Sequence, residues 1–172
     1  MLFFSGFGLK GEESLFDFWL EKNDFCVAGF SYGAIKAVEH CLNSKSRVDR
    51  LILLSPAFFN DKDSKYKRMQ LLFYSKDKKA YTENFLQNIA SGSNIDLTLY
   101  LNNTSKEQLE ELLNYSWSRE KLQSIANRGT IIEVILGGKD KIIDAKKAKD
   151  FFEDVANVYY IKDANHILQS SN

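Results

Sequence analysis

The chain has 172 residues, and its 23 basic side chains balance 23 acidic ones, so its formal net charge is zero. This length suits a single domain with one hydrophobic core, and the neutral balance offers no overall field that would attract nucleic acid. No apolar run approaches the ~20 residues that a membrane-spanning helix needs, and the first residues lack the basic region of a signal peptide.

Cysteine usage indicates a reducing compartment. The two cysteines, Cys26 and Cys41, are too few for a disulfide framework and match no metal-binding spacing. Cys26 lies in an apolar run and Cys41 in a helical pattern, so we expect buried free thiols. We therefore expect a cytoplasmic protein that binds neither nucleic acid nor membranes, and we leave its oligomeric state open.

Short apolar runs predict buried strands at residues 2–4, 25–28, 51–54, 131–136 and 158–161. The third and fourth of these runs are continuously aliphatic, which is typical of strands covered on both faces.

Segments with the spacing of an amphipathic helix separate several of the strands, at residues 12–22, 34–42 and 145–155. Asp144 is placed to cap the last of them. Strand and helix in alternation predict an α/β fold, a parallel sheet with helices on both faces.

The middle of the chain departs from this alternation. Here only helical patterns occur, at residues 66–74, 78–90, 106–115 and 119–127. Ser105 and Gln108 form a candidate capping box, and Gly129 is suited to end the last helix. We therefore predict one domain, 1–172, whose core comprises residues 1–59 and 129–172 and whose helical insertion covers about residues 60–128.

Long insertions at strand ends often form lids or binding surfaces. We expect the first inserted helix to turn its apolar side chains toward the sheet and to line a substrate entrance. These side chains are Tyr66, Met69, Leu72, Phe73 and Tyr74.

The strongest chemical motif is Gly-Phe-Ser-Tyr-Gly at residues 29–33, between a predicted strand and a predicted helix. This is the context of a nucleophile elbow, a sharp turn that exposes the serine hydroxyl. Glycine suits the two flanking positions because larger side chains would clash in so tight a turn. The motif predicts Ser31 as a nucleophile.

A serine nucleophile needs a base, and the chain has two histidines. His40 lies in the helix after the elbow and points away from the serine. His166 lies in the loop after the last strand, where parallel α/β proteins place functional groups. We therefore predict His166 as the base.

The base needs a carboxylate that holds its tautomer, and in this architecture that residue comes between the serine and the histidine. Asp140 fits best, directly after an aliphatic strand. Asp144 is the rival, although its capping position explains it. Asp163 lies three residues before the histidine and is more typical of a solvent contact in a loop.

Backbone donors are expected for the oxyanion. We predict the N–H of Tyr32, directly after the nucleophile, and the N–H of Phe7, in the glycine-rich turn at residues 5–8. Their side chains would then form the walls of an acyl pocket.

Residues 6–11 also satisfy the dinucleotide pattern G-x-G-x-x-G. That interpretation requires an acidic residue at the end of the next strand, where this chain has the elbow instead. We expect no cofactor and no metal.

Basic residues are concentrated at the start of the insertion, where only Asp63 and Asp77 oppose them. They are Lys62, Lys65, Lys67, Arg68, Lys76, Lys78 and Lys79. Two interpretations stay open, a solvated helix face and a docking patch for an acidic protein. Nucleic acid is disfavoured because no aromatic stacking platform accompanies the patch.

Together these motifs resemble α/β-hydrolases, and more closely the carboxylesterases that demethylate pimeloyl-acyl carrier protein methyl ester in biotin synthesis. The turn at residues 5–9 is similar to the family's oxyanion turn, with Ser5 in place of the usual histidine. Other similar segments are the elbow, the strand end after it, the acid loop and the base loop, at residues 29–34, 53–57, 137–140 and 165–166. This chain passes from oxyanion turn to elbow through one helix, as a short form of these esterases does.

The resemblance implies a minimal α/β-hydrolase fold, with about five parallel strands flanked by helices and a helical lid. It implies hydrolysis of the methyl ester by Ser31, His166 and Asp140, with acyl carrier protein bearing a pimeloyl methyl ester as partner. Basic lid residues would bind that partner; the candidates are Lys62, Lys65, Lys67 and Arg68. A general small-acyl esterase or thioesterase of the same fold is the alternative, and a non-catalytic binding module is a second one.

Overall fold

A computed structural model describes residues 1–170 of the chain, and its centre is a parallel β-sheet. Within these residues the sheet has five strands, in the order β1-β2-β3-β4-β5, and every neighbouring pair is parallel. The strands are β1 Leu2–Phe4, β2 Cys26–Phe30, β3 Arg50–Leu54, β4 Ile131–Gly137 and β5 Asn157–Ile161. The predicted strands are confirmed, with ends that differ by up to two residues.

Six α-helices flank the sheet in the part of the chain that the structure describes. They are α1 Tyr32–Asn43, α2 Ser64–Lys76, α3 Lys78–Ile89, α4 Lys106–Asn114, α5 Arg119–Ala126 and α6 Ala145–Phe152. Four of them, α2 to α5, lie between β3 and β4, together with a short 3₁₀ helix at Leu97–Tyr100. Among residues 1–170, none of the helices has the length and apolar character to cross a bilayer.

Side-chain caps begin most of these helices. The predicted capping box is confirmed, because Ser105 Oγ accepts the Gln108 N–H at 3.2 Å and Gln108 Oε1 accepts the Ser105 N–H at 3.0 Å. Asp144 caps α6 as expected, accepting the Lys147 N–H. Each cap satisfies a backbone donor that the first helical turn leaves free.

The α-helix predicted at residues 12–22 is wrong. The structure has a 3₁₀ helix at Glu12–Phe16, followed by turns in which the Trp19 and Leu20 N–H groups donate to the Phe16 carbonyl. Gly11, before this helix, has a φ of 76° and provides no side-chain cap. The Glu12 carboxylate points into the protein instead of serving the first turn, so a regular helix has no favourable start.

The apolar side of α2 was also predicted wrongly. Met69, Leu72 and Phe73 are exposed instead of facing the sheet. Since α2 packs on α3 and α4, only a narrow stripe of it is covered. In that stripe Tyr74 is buried, 5.6 Å from the ring of Tyr81 on α3, and Tyr66 is half-buried.

The start of the helical segment, residues 60–128, is bonded to the loop between α4 and α5. Asn60 Nδ2 donates to the Trp117 carbonyl at 2.9 Å, and the Trp117 N–H donates back to Asn60 Oδ1 at 3.1 Å. The indole N–H of Trp117 donates to the Ala57 carbonyl at 2.8 Å. These bonds join the segment's start to the loop between α4 and α5; the segment's function as a lid stays a prediction.

Replacing Ser105 with alanine removes the side chain that caps α4. We expect the free energy of unfolding to fall by about 1 kcal/mol, because a backbone donor of the first turn loses its partner. Urea unfolding measures this change. Ser75→Ala, at an exposed position of α2, is the matched control and should change stability by less than about 0.5 kcal/mol. Equal losses in the two variants would contradict the capping role.

Candidate active site

The sheet brings the candidate residues to one edge. All strands are parallel, so their carboxyl ends lie together, where ligands bind in open α/β sheets. Ser31 directly follows β2, Asp140 lies three residues after β4, and His166 lies five residues after β5. The turn at residues 5–8, called the oxyanion turn below, directly follows β1.

Ser31 lies in a strained turn between β2 and α1. Its φ is 52° and its ψ is −113°, a conformation that non-glycine residues rarely adopt. A Cβ atom at Gly29 would lie 2.2 Å from the Gly33 carbonyl oxygen, and one at Gly33 would lie 1.9 Å from the Phe4 carbonyl oxygen. Both positions therefore require glycine, and the second lets the end of β1 lie directly against α1.

His166 connects the serine to the aspartate. Its Nε2 lies 2.9 Å from Ser31 Oγ, and its Nδ1 lies 2.5 Å from Asp140 Oδ2. A carboxylate only accepts hydrogen bonds, so Nδ1 carries the proton of the neutral ring. Nε2 is then free to accept the Ser31 hydroxyl proton, which is the arrangement that makes a serine nucleophilic.

Backbone donors hold Asp140 in place. Its Oδ1 accepts the N–H groups of Ile142 at 2.7 Å and Ile143 at 3.1 Å. The Lys139 N–H donates to the Ala164 carbonyl at 2.8 Å and thereby joins the acid loop to the base loop. The side chains of Asp140 and His166 are both fully buried, so packing and hydrogen bonds determine their geometry.

The rival residues have other partners. Asp144 caps α6, and Asp163 is exposed, 3.0 Å from the ammonium of Lys139. His40 lies on α1 with its ring 5.7 Å from that of Phe4. The structure thus brings Ser31, Asp140 and His166 together and leaves these three apart; the catalytic roles stay predictions.

Within the described residues, the two predicted oxyanion donors have no partner. Over residues 1–170, neither the Phe7 N–H nor the Tyr32 N–H donates a hydrogen bond to another group of the protein. The Phe7 side chain is buried, edge-on against Phe85 of α3 with ring centroids 5.4 Å apart. Buried unpaired donors are costly, and a developing oxyanion would supply their partner.

The side chain of Tyr32 connects the elbow to α4 by a hydrogen bond. Its hydroxyl donates to Glu111 Oε2 at 2.5 Å, and the ammonium of Lys36 donates to both oxygens of the same carboxylate. Burial opposes ionisation of Glu111, but the bonds from Lys36 and Tyr32 leave its pKa below the usual value. The sequence does not indicate this cluster because Glu111 of α4 is far along the chain from Tyr32 and Lys36 of α1.

The sequence patterns also do not indicate Glu12 as a residue of this site. It is fully buried, and its Oε1 accepts the Gly6 N–H of the oxyanion turn at 2.7 Å. Burial raises the pKa of this carboxyl. In the sequence a glutamate at this position looks like an ordinary solvated residue of a first helical turn, so no local pattern identifies it.

The catalytic candidates are closed off from solvent, with Ser31 only 1% exposed and His166 fully buried. A cavity of 220 Å³ lies between the helical segment and the acid loop. Phe85, which contacts Phe7, forms one wall, and Ile142, which donates to Asp140, forms another. Its remaining apolar lining is Phe59, Leu109, Leu112 and Leu113.

The predicted docking residues differ in exposure. Lys65 and Arg68 are exposed on α2, whereas Lys67 is half-buried. Lys62 is also half-buried and its ammonium lies 2.8 Å from Asp61 Oδ2. The structure therefore leaves Lys65 and Arg68 as the more accessible charges of the four.

Solved structures with the same architecture place this geometry in a known fold. BpoC of Mycobacterium tuberculosis, described as a non-heme bromoperoxidase, matches with a TM-score of 0.67 and 14% identity, over 96% of this chain and 84% of that one. BioG of Haemophilus influenzae matches with a TM-score of 0.59 and 13% identity, over 97% and 88%. The chain has the α/β-hydrolase fold.

Other matched α/β-hydrolases are longer proteins. Naproxen esterase of Bacillus subtilis matches with a TM-score of 0.54 and 20% identity, over 86% of this chain and 55% of that one. The chain spans 55% to 59% of the length of four such hydrolases and esterases. No protein-family model and no curated protein matches the sequence.

Gly33→Ala should displace the oxyanion turn, because the added methyl carbon would lie 1.9 Å from the Phe4 carbonyl oxygen. We expect a stability loss of about 1–3 kcal/mol and labelling of Ser31 by a fluorophosphonate that is slower by about tenfold or more. Thermal unfolding and the labelling rate measure the two effects.

Gly129→Ala is the control for this substitution. Gly129 has a φ of 89° but open space around its Cβ position, so alanine there costs stability and leaves the labelling rate unchanged. Normal labelling of Gly33→Ala would contradict the packing argument.

Proposed function

We propose that the chain is a serine ester hydrolase. The observation that carries this proposal is the bonded chain from Ser31 Oγ through His166 to Asp140. It is accompanied by the N–H groups of Phe7 and Tyr32, which have no hydrogen-bond partner among residues 1–170. A nucleophile, an oriented base and donors for an oxyanion are the parts that acyl transfer requires.

In the first half-reaction, Ser31 Oγ attacks the ester carbonyl carbon while His166 Nε2 takes the hydroxyl proton. Asp140 stabilises the imidazolium that forms, since its Oδ2 lies 2.5 Å from Nδ1. The negative charge on the carbonyl oxygen is met by the N–H groups of Phe7 and Tyr32. His166 then gives its proton to the leaving alcohol, and an acyl-enzyme remains.

In the second half-reaction, water replaces the alcohol. His166 takes a proton from the water, whose oxygen attacks the acyl carbonyl carbon. The tetrahedral intermediate collapses, the bond to Ser31 Oγ breaks, and the serine regains its proton from His166. The products are the carboxylic acid and the free enzyme.

We further propose that the substrate is pimeloyl-acyl carrier protein methyl ester in biotin biosynthesis. The sequence resemblance supports this assignment, and BioG of Haemophilus influenzae is among the proteins that share the fold over most of both chains. On this substrate the leaving alcohol is methanol.

The surface of α2 suits an acidic carrier protein. The exposed charges of Lys65 and Arg68 lie on the same helix as the exposed side chains of Met69, Leu72 and Phe73. Basic residues steer an acidic partner toward its site, and the apolar side chains provide area to bury on contact. An exposed apolar stripe on a helix otherwise has no role in folding.

The alternative is a general esterase or thioesterase for small acyl substrates. It is favoured by the match to naproxen esterase and by the limited cavity beside the site, which also has polar walls at Gln70, Asn84 and Asn88. Such an enzyme would not distinguish carrier-linked from free methyl esters.

Ser31→Ala tests both the site and the substrate. We expect the wild type to release methanol from the carrier-linked methyl ester and the variant to lose at least about a thousandfold in rate, because no nucleophile remains. Methanol release and mass spectrometry of the carrier protein measure this. Ser124→Ala, at an exposed position of α5, is the control and should retain full activity.

Two other outcomes would contradict the assignment to the carrier-linked methyl ester. Ser31-dependent cleavage of short model esters without turnover of the carrier substrate would support the alternative. A wild type in which Ser31 neither turns over any ester nor reacts with a fluorophosphonate would indicate a non-catalytic binding module.

Arg68→Glu tests the docking surface. We expect kcat/KM for the carrier-linked ester to fall by about fivefold at low salt, because a repulsive contact replaces an attractive one. The effect should shrink as salt is added, and hydrolysis of a free methyl ester should not change. Lys45→Glu, an equal charge reversal at an exposed site outside the helical segment, is the control. Equal losses in both variants would count against docking on α2.

A further inference from the structure

A buried acid lies behind the oxyanion turn and outside the catalytic chain of residues. Glu12 is fully buried, and its Oε1 accepts the Gly6 N–H at 2.7 Å. Its Oε2 has no hydrogen-bond partner in the described part of the chain. A buried carboxyl with one oxygen unpaired costs stability, and the bond to Gly6 is the interaction that offsets part of this cost.

The bond to Glu12 is one of two that hold Gly6. The Gly6 carbonyl accepts the Leu9 N–H at 3.1 Å, while the Gly6 N–H donates to Glu12. The peptide between Gly6 and Phe7 is planar and trans, so its N–H points opposite to its carbonyl. Fixing Gly6 at both its nitrogen and its oxygen therefore fixes the direction of the Phe7 N–H.

Glycine at this position makes such a restraint necessary. A Cβ atom at residue 6 would lie 2.8 Å from the ring of Phe30, so a side chain there would collide with the core. Glycine avoids that contact but leaves the backbone freer than any other residue would. The two hydrogen bonds remove this freedom.

We propose that Glu12 is a positioning residue for the oxyanion turn: it holds Gly6 so that the Phe7 N–H stays aimed at the substrate's carbonyl oxygen. The inference rests on the proposed ester hydrolysis, because it assigns a role within that reaction. Glu12 does not touch the reacting atoms, and it acts through the backbone of Gly6 and Phe7.

The acceptor atom, and not a negative charge, is what the role requires. Burial raises the pKa of Glu12. The Gly6 N–H needs only an oxygen acceptor at the Oε1 position, and Oε1 lies 2.7 Å from it. Glutamine has the same shape and also offers an Oε1 acceptor, so it is the conservative replacement.

Glu12→Ala and Glu12→Gln are compared with the wild type in hydrolysis of p-nitrophenyl acetate, with rates expressed per active site titrated by a fluorophosphonate. We expect alanine to lower kcat by about tenfold or more with KM within about twofold, because the lost interaction acts in the transition state. Glutamine should keep kcat within about threefold of the wild type. Glu13→Ala, at the exposed neighbouring position, should have no effect.

A purely structural role predicts a different pattern. Glu12→Ala would then unfold at lower temperature, yet its folded fraction would have a normal kcat, and that result would overturn the inference. A glutamine variant as slow as the alanine variant would also overturn it. If Glu12→Ala does not fold, Glu12→Asp replaces it, because its shorter side chain moves the acceptor away from the Gly6 N–H. A normal kcat in Glu12→Asp would also overturn the inference.

The same measurements separate this inference from the proposed function. An active wild type with an unaffected Glu12→Ala variant refutes only the positioning role. A wild type without Ser31-dependent turnover refutes ester hydrolysis, and with it the role of Glu12.

Discussion

Direct backbone contact between the elbow helix and the end of β1 is the constraint on which the candidate site depends. A Cβ atom at Gly33 would lie 1.9 Å from the Phe4 carbonyl oxygen and 2.6 Å from that of Ser5. With no side chain between them, α1 and the oxyanion turn lie as close as two backbones can. This close approach brings the turn that contains Phe7 next to the helix that follows Ser31, and the roles we propose for the Phe7 N–H and for Glu12 depend on it.

The site is otherwise built from short connections at the ends of parallel strands. Asp140 and His166 are brought together because the acid and base loops bond to each other through Lys139 and Ala164, and Asp140 is further fixed by two backbone donors. Such preorganisation places the hydrogen-bonding groups before any substrate arrives. The strained φ of Ser31 is tolerated because the surrounding contacts over-determine it.

The helical segment covers this site and also presents its own surface. Its inner side supplies Phe85 and Tyr74 against Phe7, and Asn60 at its start is bonded to Trp117 in the loop between α4 and α5. Its outer side leaves apolar and basic side chains of α2 exposed. One segment thus contacts the buried candidate site on one side and carries on the other the surface that we propose for the carrier protein.

Local patterns were enough to predict the strands, the elbow at Ser31 and the capping box at Ser105, because each depends on residues close in sequence. The order of serine, aspartate and histidine could be predicted because each of these residues follows the end of a strand.

Tertiary structure alone decided the form of residues 12–22 and the exposure of α2. Residues 12–22 have helical spacing, yet burial of Glu12 against Gly6 left only a 3₁₀ helix at Glu12–Phe16. Met69, Leu72 and Phe73 are apolar, yet packing of α2 on α3 and α4 left them exposed. Periodicity shows that a helix has an apolar side, but which neighbour covers that side depends on contacts between residues far apart in the chain.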